Sequence, residues 1–110
     1  MTTKELEDRL IDFAASIIEL TDSLKRTRAG LTLNDQMSRS SISAALNYGE
    51  SIGAESPKDF VHKLQVVLKE LRETWMALRI AEKRIHCFTK NTSSCFRTDV
   101  VIPTLRESNA

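Results

Sequence analysis

Aromatic residues, glycine and proline are all scarce in this 110-residue chain: aromatics make up 5%, with three glycines and two prolines. So few turn-forming residues argue against a many-stranded β fold. No apolar run approaches the roughly 18 residues of a membrane span, and the acidic, amphipathic start from Met1 to Glu5 is unlike a signal peptide. We therefore expect a cytoplasmic protein with one domain over residues 1–110 and no membrane association.

Cysteine and histidine number two each, and neither is arranged as in a familiar site. Cys87 and Cys95 flank a polar loop, where reduced thiols are favoured over a disulfide. The pattern H-C-x7-C that begins at His86 lacks the C-x2-C spacing of zinc sites, and His62 is expected on the outer face of its helix. G-x-S-x-G, glycine-rich phosphate loops and H-E-x-x-H are absent. We predict no catalytic residues, no metal, no cofactor and no enzymatic activity.

The first helix is predicted over residues 3–27. Its apolar residues are spaced 4, 3, 4, 3 and 4 apart, which is a heptad seam: Leu6, Leu10, Phe13, Ile17, Leu20 and Leu24. Ile11, Ala14 and Ile18 widen the apolar arc to roughly half the cylinder, so we expect at least two neighbouring helices to cover it. Gly30 is predicted to supply a left-handed C-terminal stop.

The second helix is predicted to begin near Leu33 or Asn34 and to end near Ser51. One face is apolar and expected in the core, and it comprises Leu33, Met37, Ala44, Ala45 and Tyr48. Small residues in the middle of the helix permit another helix to approach closely, and these are Ser40, Ser41, Ser43, Ala44 and Ala45.

The third helix has the clearest start. Ser56 is a favourable N-cap, Pro57 suits the first helical position, and Asp59 stands where a capping box needs a carboxylate. An apolar seam continues over residues 60–85. A helix of roughly 30 residues is about 45 Å long.

A short last helix is predicted to start near Asp99 or Thr104, after a loop over residues 89–97. The fold class is therefore predicted as all-α, an antiparallel up-and-down four-helix bundle whose fourth helix is short or truncated. Met76 and Ile80 lie opposite the seam of the third helix and indicate a second interface.

A polar stripe on the second helix is the most informative feature of the sequence. Arg39, Ser43, Asn47 and Glu50 fall at about 0°, 40°, 80° and 20° on a helical wheel. Polar groups on an otherwise apolar helix are costly unless each has a partner. We predict a structural polar network, within the subunit or between subunits; a catalytic cluster and a solvated face are the alternatives.

The net charge of +1 hides a segregation of charge along the chain. Residues 1–57 carry 6 basic and 9 acidic residues, whereas residues 58–97 carry 9 and 4. Such a segregation suggests complementarity between subunits or toward a polyanion.

Four cations of the third helix lie within about 80° of one another, and we call them the basic flank: Lys69, Arg72, Arg79 and Lys83. Lys58 and Lys90 extend this track, while Lys69 can pair with Glu73 at i, i+4. The basic flank is the best candidate for phosphate contact, although a solvated charged face is the simpler interpretation. Aromatic residues suited to stacking on RNA bases are absent from it.

Three polar patterns occur in one register across the second and third helices. They are R-S-x-x-S-x-x-x-N-x-x-E from Arg39, S-x-x-D-F-V-H-K-L from Ser56 and L-K-E-x-x-E-T from Leu68. In these positions the chain resembles the family of proteins encoded in intervening sequences of bacterial 23S ribosomal RNA genes. The resemblance implies an antiparallel four-helix bundle and a ring-shaped homopentamer. It also implies relatives that bind nucleic acid and a reverse transcriptase.

Two function classes follow from the sequence. In the first, the protein is a non-enzymatic, self-assembling scaffold whose partner is itself, in a homo-oligomer that the resemblance implies is a pentamer. In the second, it is a ribosome- or RNA-associated module whose basic flank contacts RNA or an RNA-associated protein.

Overall fold

Three helices account for nearly all of the chain that the computed structural model describes, namely residues 1–24 and 27–89, with side chains as far as residue 84. They are α1 (Thr3–Ser23), α2 (Arg28–Ile52) and α3 (Pro57–Thr89), and no strand occurs in this part of the chain. The prediction of an all-α fold is confirmed. The predicted fourth helix lies outside the described residues, and the three helices are compatible with a four-helix bundle whose last helix is short.

Each helix begins at a hydroxyl side chain that accepts a hydrogen bond from a backbone amide. At α1, Thr2 and Glu5 form a capping box, with the Thr2 oxygen 3.1 Å from the Glu5 amide and the Glu5 carboxylate 3.0 Å from the Thr2 amide. At α3, the predicted N-cap is confirmed, since the Asp59 amide donates to Ser56 Oγ over 3.1 Å. These caps satisfy amides that have no partner within the helix.

The connection between α1 and α2 differs from its prediction. The first helix ends at Ser23 rather than near residue 27, and α2 begins at Arg28 rather than near residue 33. The reason is Thr27, whose hydroxyl accepts the Gly30 amide over 3.0 Å and so caps α2. No glycine within the described residues has a positive φ. The left-handed stop expected at Gly30 was therefore wrong, and this glycine lies in the first turn of α2.

The second helix packs against both of its neighbours and occupies the middle of the fold. Within the described residues, the backbones of α1 and α3 do not approach each other closely. Two apolar clusters form the core. One joins all three helices and comprises Phe13, Ile17, Leu20, Met37, Ala77, Leu78 and Ala81. The other comprises Leu10, Ala44, Tyr48 and Val67.

The heptad seam predicted for α1 largely coincides with its buried face. Leu10, Phe13, Ile17 and Leu20 are all buried, whereas Leu6 remains exposed. The widened arc is not fully covered, because Ile11 is 51% and Ile18 40% exposed. Apolar surface of α1 therefore remains available on the described part of the molecule.

A buried pair of hydroxyls joins α2 to α3. Ser40 Oγ lies 2.6 Å from Thr74 Oγ1, and the two residues are 1% and 0% exposed. Each hydroxyl also lies near a carbonyl oxygen of its own helix, 2.8 Å for Gln36 and 2.9 Å for Glu70. Two hydroxyls have two protons, so one hydroxyl donates to the other and the second donates to its own carbonyl. This arrangement leaves no buried hydroxyl proton without an acceptor.

We expect Thr74→Val to lower the free energy of unfolding by about 1–2 kcal/mol, because Val keeps the shape but leaves Ser40 with one partner fewer. The double variant Ser40→Ala with Thr74→Val should cost less than the sum of the two single variants, since removing both partners leaves no unsatisfied group. Urea unfolding measures all three. Thr32→Val is the matched control, because Thr32 donates to the Arg28 carbonyl in the same i−4 geometry at an exposed position. Additive costs for the single variants would contradict this coupling.

Candidate functional surfaces

The polar stripe of α2 divides into separate contacts. Arg39 is exposed and pairs with Asp35 of the same helix, with Arg39 Nη1 3.5 Å from Asp35 Oδ2. Asn47 is half-buried, and its amide donates to the carbonyl of Ser43 over 2.8 Å and to the Ser43 hydroxyl over 3.1 Å. Neither contact leaves the helix. Among the described residues the stripe therefore does not form one continuous network.

Among the four residues of the stripe, Glu50 is the one that forms an ion pair with another helix. Its carboxylate lies 2.7 Å from Lys63 Nζ on α3, near the loop that joins α2 to α3. This hydrogen bond and the charge of Glu50 raise the pKa of the Lys63 ammonium above its ordinary value. The pair links the end of α2 to the beginning of α3. The structural role predicted for the stripe stays a prediction for all four residues, Arg39, Ser43, Asn47 and Glu50. The contacts above are the ones through which they would contribute to stability.

The basic flank lies on an exposed face of α3, as the helical wheel predicted. Its four residues are Lys69, Arg72, Arg79 and Lys83, all of them exposed. Within the described part of the chain, none of the four has a carboxylate within 4.0 Å. Lys58 is exposed at the start of the same helix, and Lys90 lies outside the described residues. The flank is thus a surface of cations without an ion-pair partner in this part of the subunit.

Glu73 does not form the predicted pair with Lys69. Its carboxylate instead accepts a hydrogen bond from Gln36 Nε2 on α2, over 3.4 Å. Glu70, one turn of the helix before Thr74, is partly buried. Burial raises the pKa of the Glu70 carboxyl above its ordinary value, and the charge of Glu73 raises it further. Glu73 thus contacts α2, and it also lies beside Lys69 and Arg72 in the lining of the groove between α2 and α3.

A groove runs along the edge between α2 and α3, beside the basic flank. Its volume is about 530 Å³. Its apolar lining comprises Leu33, Met76, Ala77 and Ile80, and its polar lining comprises Thr32, Gln36, Lys69, Arg72 and Glu73. Met76 is 54% and Ile80 51% exposed. The two residues that the sequence assigned to a second interface therefore belong to a shaped apolar surface.

Other candidate chemistry is limited to a few residues. No helix in residues 1–24 and 27–89 is apolar over enough of its length to cross a membrane. Among the described side chains, no three of the His, Cys, Asp and Glu type lie close enough together to hold a metal ion. His62 is exposed on α3. The side chains of His86, Cys87 and Cys95 lie outside the described set, so the predictions of free thiols and of no zinc site stay predictions.

We expect Asn47→Ala to lower the free energy of unfolding by about 1 kcal/mol, because a half-buried hydrogen bond is lost. Glu50→Ala should cost about 0.5 kcal/mol, since Glu50 is exposed and solvent screens its attraction to the half-buried Lys63. Arg39→Ala is the control for an exposed pair within one helix and should change stability least. Thermal unfolding of the three variants checks this order. A melting temperature of Asn47→Ala equal to that of the parent would indicate a solvated face instead.

A comparison of the sequence with models of known protein families gives a match over most of the chain. The family model described as 23S rRNA-intervening sequence protein matches residues 5–100, which include nearly all of α1 and the whole of α2 and α3. No match was found among curated proteins or among solved structures. The family match covers well over half of the chain and agrees with the family that the polar spacing resembles. The chain belongs to the 23S rRNA-intervening sequence protein family.

Proposed function

We propose that this protein is a non-enzymatic, self-assembling scaffold whose main partner is a further copy of itself. The groove between α2 and α3 carries the proposal, because Met76 and Ile80 of its apolar lining are exposed in the part of the subunit that the structure describes. Contiguous exposed apolar surface on a small protein is typical of an interaction site. A ring-shaped homopentamer is the assembly we expect, since the resemblance to the family implies it.

Exposed apolar side chains on the other helices support the same proposal. Ile11 and Ile18 on α1 and Leu46 on α2 are each between 40% and 61% exposed. Together with the groove, they place apolar surface on every helix. Within residues 1–24 and 27–84 one copy leaves these side chains exposed, whereas a homo-oligomer can bring a second apolar surface against each groove.

Sedimentation velocity at tens of micromolar tests self-assembly directly. We expect a species several times heavier than the 12.4 kDa chain, with a mass near five chains if the ring forms. Met76→Asp should shift the distribution toward monomer, because it places a charge in the apolar groove. Val61→Asp is a suitable control, since Val61 is exposed on α3 outside the groove. A parent protein that sediments only as monomer would contradict the proposal.

The second candidate is an RNA-associated module. It is favoured by the cations of the basic flank, none of which forms an ion pair with another described residue. Phosphates would supply the affinity without reading the base sequence. One subunit offers four cations interrupted by Met76, which is too few for tight binding alone. A ring would repeat the flank and raise the avidity. RNA binding on this basis would be weak, tolerant of sequence and steeply dependent on salt.

For RNA binding, the decisive variant is Arg72→Glu with Arg79→Glu, assayed on a generic structured RNA at low salt. We expect the parent to bind and the variant to lose most of its affinity, because two phosphate contacts become repulsive. Arg9→Glu, on an exposed part of α1, is the control for a charge reversal elsewhere. Equal binding by parent and variant would place any RNA site elsewhere, and no binding by the parent would leave the scaffold as the function.

A further inference from the structure

The apolar lining of the groove and the charge of the basic flank together indicate what kind of partner would fit them. The lining is apolar around Met76 and Ile80 and includes the cations Lys69 and Arg72. One acid, Glu73, also lines it and accepts a hydrogen bond from Gln36. Arg79 and Lys83 lie further along the same helix, so cations outnumber acids on this surface. The lining residues on α3 run from Lys69 to Ile80, a length of about 16 Å at 1.5 Å per residue. The matching occupant is an amphipathic helix whose short apolar stripe is bordered by acidic residues.

The outer surface of α1 has this pattern. Ile11 and Ile18 are exposed, and because they are seven residues apart they lie within about 20° of each other on the helix, separated by about 10 Å. Asp8, Asp12 and Glu19 are exposed along one border of this stripe, within about 40° of one another. The stripe is shorter than the groove, so both isoleucines can lie against its lining at once.

The acids of α1 have little to neutralise them within the described part of the subunit. Asp8 pairs only with Lys4, over 3.5 Å, and both side chains are largely exposed. Asp12 and Glu19 have no cation within 4.0 Å among the described residues. An acidic border on α1 and a basic flank on α3 therefore occur in the same chain, and among the described residues the Lys4–Asp8 pair is the one ion pair that either surface makes. This is the charge segregation that the sequence displays.

We infer that α1 of one copy docks into the α2–α3 groove of the next copy. Ile11 and Ile18 contact Met76 and Ile80, while the acidic border faces the basic flank. The inference rests on the proposed self-assembly and names the two surfaces that carry it. Apolar contact supplies affinity, and the opposed charges fix the orientation of one helix on the other.

The two surfaces lie on different parts of the chain, so a copy that docks its α1 into one neighbour can offer its own groove to another. Repeated in this head-to-tail way, the contact forms a ring if the rotation between successive copies closes. A twofold contact of the groove with itself would instead bring two basic flanks together, which like-charge repulsion disfavours. The proposed docking is therefore consistent with a closed ring, and the mass from sedimentation distinguishes a ring from a dimer in which two copies exchange α1 reciprocally.

A charge swap tests the docking. Asp12→Lys with Glu19→Lys reverses the acidic border, and Arg72→Glu with Arg79→Glu reverses the flank. Each double variant should associate at least about tenfold more weakly than the parent in sedimentation equilibrium, because like charges then face each other. The quadruple variant, which carries both reversals, should recover association. Arg9→Glu with Glu55→Lys is the control, since it changes two exposed charges outside both surfaces.

The outcomes separate this inference from the proposed function. Circular dichroism first establishes that each variant retains its helices. If the parent assembles and the two double variants assemble equally well, the docking is overturned and self-assembly stands. Weakened double variants with no recovery in the quadruple variant would overturn the pairing of these two surfaces. Loss of RNA binding without loss of assembly in the flank variant would make RNA the occupant. A monomeric parent would remove the proposed function and the docking with it.

Discussion

The fold depends on one constraint: α2 must bury surface on both sides at once, against α1 and against α3. Side chains at its tightest contacts are accordingly small, and Ser40, Ser41 and Ala44 are at most 1% exposed. Small residues allow close approach, but two of these three bring a hydroxyl into the core, where an unpartnered polar group is costly. The hydroxyl of Ser41 is satisfied by the Ser38 carbonyl over 3.2 Å. The hydroxyl of Ser40 is satisfied partly by that of Thr74 on α3. The small residue that lets the helices approach closely therefore also helps to fix the position of α3 along α2.

Apolar periodicity and capping chemistry made much of this fold predictable. The seam of α1 and the Ser56 cap of α3 depend on local spacing, which a sequence displays directly. The start of α2 was missed because Thr27 and Gly30 offer two local solutions, a new N-cap or a left-handed stop. The choice between them depends on tertiary packing. Asn34, predicted near the start of α2, lies inside it, and its amide donates to the Thr21 carbonyl at the end of α1 over 3.3 Å.

Candidate surfaces were harder to predict than helices. A helical wheel places Arg39, Asn47 and Glu50 on one stripe, but it cannot tell which of them has a partner across the α2–α3 loop. Glu50 reaches Lys63 because the hairpin brings residues 13 positions apart to 2.7 Å, and that register is a property of the folded pair. Thr74 gave a weak signal, as a polar residue on the apolar face of α3. Met76 and Ile80 were correctly set apart from the core, yet the groove beside them also requires residues of α2.

The groove and the basic flank would respond differently to solution conditions if α1 of another copy occupies them. Exposed charges interact over a Debye length of about 8 Å at physiological ionic strength, so added salt weakens the contribution of Arg72 and Arg79. Burial of Ile11 and Ile18 against Met76 is not screened in this way. Moderate salt should therefore loosen the orientation of the docked helix before it separates the copies. RNA bound at the same cations would gain no affinity from apolar contacts, and its binding would depend on counterion release. The same four side chains would thus support two kinds of contact that respond differently to salt, and docking of α1 would exclude phosphate from the flank that it covers.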